Sequence, residues 1–240
     1  MSHARVDRAA SAQTRDGRWR SLYRIGAVAA VISVLVIPLS IAAFFVWPLW
    51  PDNILTVLQD DWLAGLMGLD FMYLFSNIFA IPFFLVLYVT LKEGDEGWAL
   101  VALALGLTGL VCLVPARPIP EMFALSDQYA AATTDAERAI YEANGQAMLA
   151  HFHGMAYQAH YILGSTSLLI SSFLMLRSDT FRKATAYVGI VTNIVVFGLY
   201  VPEVGVWISM LSVVGYLVWY ILIARRLIRL GWGGSQRVVT

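Results

Sequence analysis

Charge is what this chain has least of. Asp, Glu, Lys and Arg together make up 13% of its 240 residues, about half the roughly 25% of an ordinary soluble domain. That scarcity excludes a water-soluble globule. There is a single cysteine, Cys112, inside an apolar run, so no intrachain disulfide is possible and cysteine usage carries no information on redox compartment. No nucleophile elbow, P-loop, dinucleotide fingerprint or HExxH is found, so no known catalytic motif names a reaction or a cofactor. Internal repeats, low-complexity tracts and GxxxG pairs are also missing, which leaves scattered small residues such as Ser167 and Ser171 to bring helices together. What is present is apolar: 59% of the chain is hydrophobic, with a mean hydropathy of +0.69. This is the composition of a one-domain membrane protein.

The apolar residues fall into six runs. Residues 1–24 are polar and hold six arginines, reading as a cytoplasmic basic tail that is disordered at its start. Residues 25–47 follow as an apolar segment longer than the roughly 7–15 residues of a signal-peptide core, hence a retained first span, closed by the prolines and tryptophans of WPLWPD. Further spans are expected at 66–91, 97–115, 153–176, 184–201 and 205–224, followed by a basic tail over 225–240. Residues 117–150 form the one sizeable segment between spans, and Thr134-Asp-Ala-Glu137 has the spacing of a capping box. A helix is expected from about Asp135, with Ala139, Ile140, Ala143 and Ala147 on its covered face.

Charge asymmetry orients the chain. With these spans, fourteen of the sixteen Lys and Arg residues lie on the side of the termini, and only Arg117 and Arg138 lie opposite. The positive-inside rule then predicts an all-α, polytopic bundle of six transmembrane helices with both termini cytoplasmic and 117–150 outside. The bilayer is the expected partner. Arg225-Arg-Leu-Ile-Arg229 reads as an anionic-lipid anchor and topology signal, not a nucleic-acid site.

Polar residues inside the apolar runs mark the candidate site. The segment HFHGMAYQAHYILG contains three of the four histidines. His153, Tyr157 and His160 follow i, i+4, i+7 and share a helix face, while His151 points elsewhere. Counting back from Lys92 at about 1.5 Å per residue across a roughly 30 Å core reaches about residue 72, so Asp70 sits near the outer boundary. The same count from Arg177 puts His160 one turn inside. Ionisable groups at such depth are costly and mark functional sites. Asp70 and His160 are therefore the candidate acid/base pair, with His153, Tyr157, Glu203, Asn77 and Asn193 as candidate ligand contacts. His151, His153 and His160 are a possible metal set without a standard spacing. Each residue also has a plain reading: a solvated interfacial carboxylate for Asp70, a satisfied interior histidine for His160, interhelical hydrogen bonds for Asn77 and Asn193, and an outer turn for Glu203.

The first-span entry YRIGAVAA, the inner end LYVTLK and the close GSTSLLISSFLMLRSDTFRKATAYVGI together resemble a family of small bacterial multi-pass membrane proteins of unassigned function. The resemblance implies a six-helix fold in a bacterial inner membrane and transfers no functional residue. Three functions fit the pattern. One is binding, in an outer-leaflet polar cavity, of a small amphipathic ligand or of another membrane subunit. The second is an intramembrane enzyme acting on a lipid or isoprenoid-like substrate, and the third a small transporter.

Overall fold

The structure, a computed structural model, describes residues 3–233, with side chains described from Gly17 onward. Residues 1–2 and 234–240, with Arg237 of the expected C-terminal tail, lie outside it, as do the side chains of Arg5, Arg8 and Arg15. Every regular element among the described residues is helical. In chain order these are α1 (His3–Val46), α2 (Ile54–Asp60), α3 (Trp62–Gly68), α4 (Phe71–Ile78), α5 (Ala80–Leu91), α6 (Glu96–Leu113), α7 (Ile119–Ala131), α8 (Asp135–His151), α9 (Met155–Met175), α10 (Lys183–Val196) and α11 (Gly205–Trp232). Short 3₁₀ turns follow α6 at Val114–Ala116 and α10 at Phe197–Tyr200.

Among the described residues, five stretches are long and apolar enough to cross a membrane: Gly17–Val46, Phe71–Leu91, Glu96–Ala131, Lys183–Tyr200 and Gly205–Trp232. Their surfaces agree, since Phe45 is 81% exposed, Val111 71% and Leu211 69%, a density of bare apolar side chains that a water-soluble monomer does not tolerate. These helices mark a multi-pass membrane protein. Helix α9, expected as the fourth span, is not among the five. It is 21 residues long, but Gln158, His160 and four serines dilute its apolar character.

The chain divides into two compact units. One comprises residues 3–34, 79–104 and 167–233. Here α10 and α11 pack closely where glycine permits: a Cβ on Gly189 would collide with the Ser172 hydroxyl and the buried Trp219 ring, and one on Gly215 with the Thr192 hydroxyl. Ser167 donates from Oγ to the Ala102 carbonyl, so a small polar residue ties α9 to α6. Asn193, fully buried, donates to the Gly189 carbonyl at 2.8 Å and accepts from the Tyr216 hydroxyl at 2.8 Å, linking α10 to α11.

The other unit comprises residues 35–78 and 105–166, and here local structure departs from the sequence expectation. The segment between the first two apolar runs is two short helices, α2 and α3, and the proline-rich stretch after α6 starts another, α7, with Pro120 in its first turn. Proline is well suited to that position because the first amides of a helix need no intrahelical acceptor. Ile54, Leu55, Leu58, Leu69, Ile119, Met122, Leu125, Leu149 and Phe152 form a common buried cluster. The capping box forms as read: the Thr134 hydroxyl accepts from the Glu137 amide, and the Glu137 carboxylate returns to the Thr134 amide. Glu137 is held below the usual carboxylate range, first by the Thr133 amide, then by the Thr134 amide and the Thr133 hydroxyl.

The covered face of α8 is not the expected one. Ala139, Ile140, Ala143 and Ala147 are exposed, while Tyr141, Gly145, Met148 and Leu149 turn inward, with Gly145 against the Leu55 side chain. Burial gains about 25 cal/mol per Å² of apolar surface. Leucine, methionine and tyrosine therefore outweigh three alanines and one isoleucine in fixing the helix's rotation.

Candidate functional site

Two breaks in the second apolar run position the site. Pro82 has no N–H to offer residue 78, and α4 stops at Ile78 before α5 resumes at Ala80. The other break lies at Asp70, between α3 and α4, with a backbone φ of 59°. Asp is one of the few side chains that tolerate this left-handed region. The turn presents its carboxylate to Arg117, which follows the 3₁₀ turn that ends α6.

Arg117 is the centre of the arrangement. It is 3% exposed, and its Nη2 donates to Asp70 Oδ2 at 2.9 Å. Nη1 donates to the backbone carbonyls of Phe152 and Ala116, each at 3.1 Å. Its guanidinium carbon stands 4.9 Å from the ring centre of Phe152, 5.1 Å from Tyr157 and 5.6 Å from Tyr73. Such cation–π contacts are worth about 2 kcal/mol when desolvated, and together with Asp70 they offset the cost of taking a guanidinium out of water. One donor is left over: Arg117 Nε is buried with no hydrogen-bond partner.

His160 lies beside this group on α9. Its Nε2 shares a 2.7 Å hydrogen bond with the Tyr73 hydroxyl and its Nδ1 lies 2.9 Å from the Gly109 carbonyl. The second contact is made where α6 and α9 approach closely: a Cβ on Gly109 would stand 3.1 Å from the Gly164 amide and 3.2 Å from the His160 carbonyl, tighter than most side chains pack. The Gly109 carbonyl can only accept, so Nδ1–H donates to it, and in the neutral ring Nε2 accepts from the Tyr73 hydroxyl.

The expected residues are thus partly brought together. Tyr157 lies over Arg117, with His153 and His160 on either side of its ring at 6.1 and 6.5 Å. His153 also meets the Trp50 ring at 4.3 Å. Asp70 and His160 do not bond each other: Arg117 takes the carboxylate and Tyr73 the imidazole, in place of the direct acid/base contact expected between them. Asn77 turns back to the Tyr73 carbonyl at 2.7 Å in its own helix. Asn193 and Glu203 belong to the other unit, where Asn193 links two helices and Glu203, exposed with a φ of 66°, makes the turn before α11. His151 is exposed at the end of α8. Among the described residues no three His, Cys, Asp or Glu side chains converge to hold a metal. The possible His151, His153 and His160 set is dispersed because one is in solvent, one meets the Trp50 ring edge-on and one is held by Tyr73 and Gly109.

Sequence reasoning missed Arg117, Tyr73 and Trp50. One signal was available for Arg117, since it is one of two basic residues that the positive-inside count leaves on the outer side. Comparison of the chain with protein-family models, curated proteins and solved structures returned no match.

Proposed function

We propose that the chain is a six-span integral membrane protein, cytoplasmic at both termini, that binds a small amphipathic ligand at the Arg117 site in the outer half of the bilayer. Helix α9 supplies the sixth span in this reading, and the fourteen-to-two partition of Lys and Arg supports the orientation. The observation that carries the ligand assignment is the buried Arg117 Nε without an acceptor, because a desolvated donor left unsatisfied costs about 1–3 kcal/mol. Asp70 already neutralises the guanidinium. The ligand that fits is therefore neutral, with a carbonyl or hydroxyl oxygen for Nε and an apolar body that lies against Tyr73, Phe152 and Tyr157.

A second reading, chemistry on such a molecule, draws on the 2.7 Å bond between Tyr73 and His160, a phenol and imidazole able to pass a proton. The two readings separate experimentally. Protein purified in mild detergent and extracted into organic solvent is expected to yield a stoichiometric neutral amphiphile by mass spectrometry. Arg117→Lys, which keeps the charge but removes Nε, is expected to lose it while remaining monodisperse. Wild-type protein that carries no such molecule, or a folded Arg117→Lys variant that retains it fully, refutes the binding assignment. Chemical conversion of the bound amphiphile that stops in Tyr73→Phe establishes the enzymatic one.

A further inference from the structure

The basic end of α11 forms more than a charged surface. Leu222, Arg225, Arg226 and Arg229 stand at i, i+3, i+4 and i+7, one stripe of the helix. That stripe faces the loop between α9 and α10, and the two enclose a cleft of about 290 Å³ to which Arg182 and Asp179 also contribute. Four arginines against one aspartate leave a surplus of three positive charges in that space. None of the four guanidinium groups has a hydrogen-bond or ion-pair partner among the described residues, and Arg226 Nε is buried without one. The N-terminus of α10 opens beside them, with Arg182 as its N-cap and no side chain capping its first amides. Helix amides and arginine forks favour the same kind of ligand, a multiply hydrogen-bonding oxyanion.

We infer that this cleft is a binding site for a phosphate group, either the head group of an anionic phospholipid or a phosphate on a soluble molecule. The planar donors of several arginines match phosphate oxygens, and four of them oppose a group that carries more than one negative oxygen. Phe181 and Leu222 supply an apolar wall against which a glycerol or other linker rests. The inference stands on the α9–α10 loop and α11 alone and does not depend on the Arg117 reading.

The test uses the full chain in detergent, titrated by native mass spectrometry with phosphatidylglycerol, with inorganic phosphate, and with zwitterionic phosphatidylcholine as reference. At least one of the first two is expected to bind more tightly than phosphatidylcholine. Arg226→Gln, and separately Arg182→Gln at an exposed loop position that folding tolerates, are expected to weaken that binding at least about tenfold, the loss of a charge-assisted hydrogen bond. Lys183→Gln removes a charge from the same end without lining the cleft and is expected to cost less than about fivefold, the general attraction of one basic residue. Binding of phosphatidylglycerol that inorganic phosphate does not displace identifies a lipid head group. Displacement identifies a site for phosphate itself. The inference is overturned if neither anion binds better than phosphatidylcholine, or if Lys183→Gln weakens binding as much as Arg182→Gln does, since the effect is then diffuse surface charge.

Discussion

Replacing the members of the Arg117–Asp70 pair singly and together measures what holds the unit of residues 35–78 and 105–166 in shape. Removal of one partner from a buried ion pair costs about 3–5 kcal/mol, most of it from the charge left behind. The two members are not equally sheltered: the Arg117 side chain is 1% exposed and that of Asp70 18%. Water partly stabilises a lone Asp70 carboxylate, so Arg117→Met is expected near about 3 kcal/mol. Asp70→Asn strands a guanidinium beyond the reach of water and is expected toward the upper end of that range, about 4–5 kcal/mol. Asparagine suits this experiment because it tolerates the left-handed backbone at position 70, so the substitution removes charge without forcing the turn between α3 and α4. The double variant leaves no unpaired charge, and the coupling between the two sites is expected at about 2 kcal/mol. Reversible unfolding in mixed micelles, followed by tryptophan fluorescence, reads all four proteins on one scale. Strict additivity, with a coupling below about 0.5 kcal/mol, would refute the claim that these groups are mutually dependent.

Two further outcomes follow from the same outer elements and from the proposed orientation. Glu137 has its folded pKa lowered by the Thr133 and Thr134 amides, so its contribution is present above the unfolded carboxylate value and lost as pH falls through the lower folded one; the protection of the first-turn amides of α8, measured as exchange relative to the intrinsic rate at each pH, should fall on acidification, and Glu137→Gln should remove that dependence. For topology, a Cys112→Ser background carrying Ala139→Cys is expected to label from outside intact cells and one carrying Arg177→Cys only after permeabilisation, both positions being exposed; outside labelling at 177 would overturn the six-span orientation.

The apolar elements were legible because hydropathy is a local property: α6, α10 and α11 begin within one residue of the starts read from the runs at 97, 184 and 205. Thr134 and Glu137 were legible for the same reason, as a cap is written within four residues. The rotation of α8 was not, because counting small apolar positions ignores how much more surface Met148 and Leu149 bury. Of the stripe read from helical spacing, Tyr157 and His160 do share α9, but His153 lies in the turn before it. The site's true centre was not legible, since Arg117 and Tyr73 come from other helices and meet the stripe only through tertiary packing. Nothing local between Pro115 and Pro118 announces that the arginine following the 3₁₀ turn at Val114–Ala116 is buried.

Asp70 and Arg117 are 47 residues apart in sequence, and a ribosome makes the carboxylate first. Through the whole synthesis of α4, α5 and α6 the growing chain therefore carries the Asp70 carboxylate with its counter-charge not yet translated. The shortest nascent fragment that contains both partners ends at Arg117, just past the 3₁₀ turn, so α4, α5 and α6 are all translated before the pair can close. Phe152, whose carbonyl also accepts from Arg117, and Tyr157, whose ring lies over it, are translated later still, so the surroundings of the pair are completed only after the pair itself can form.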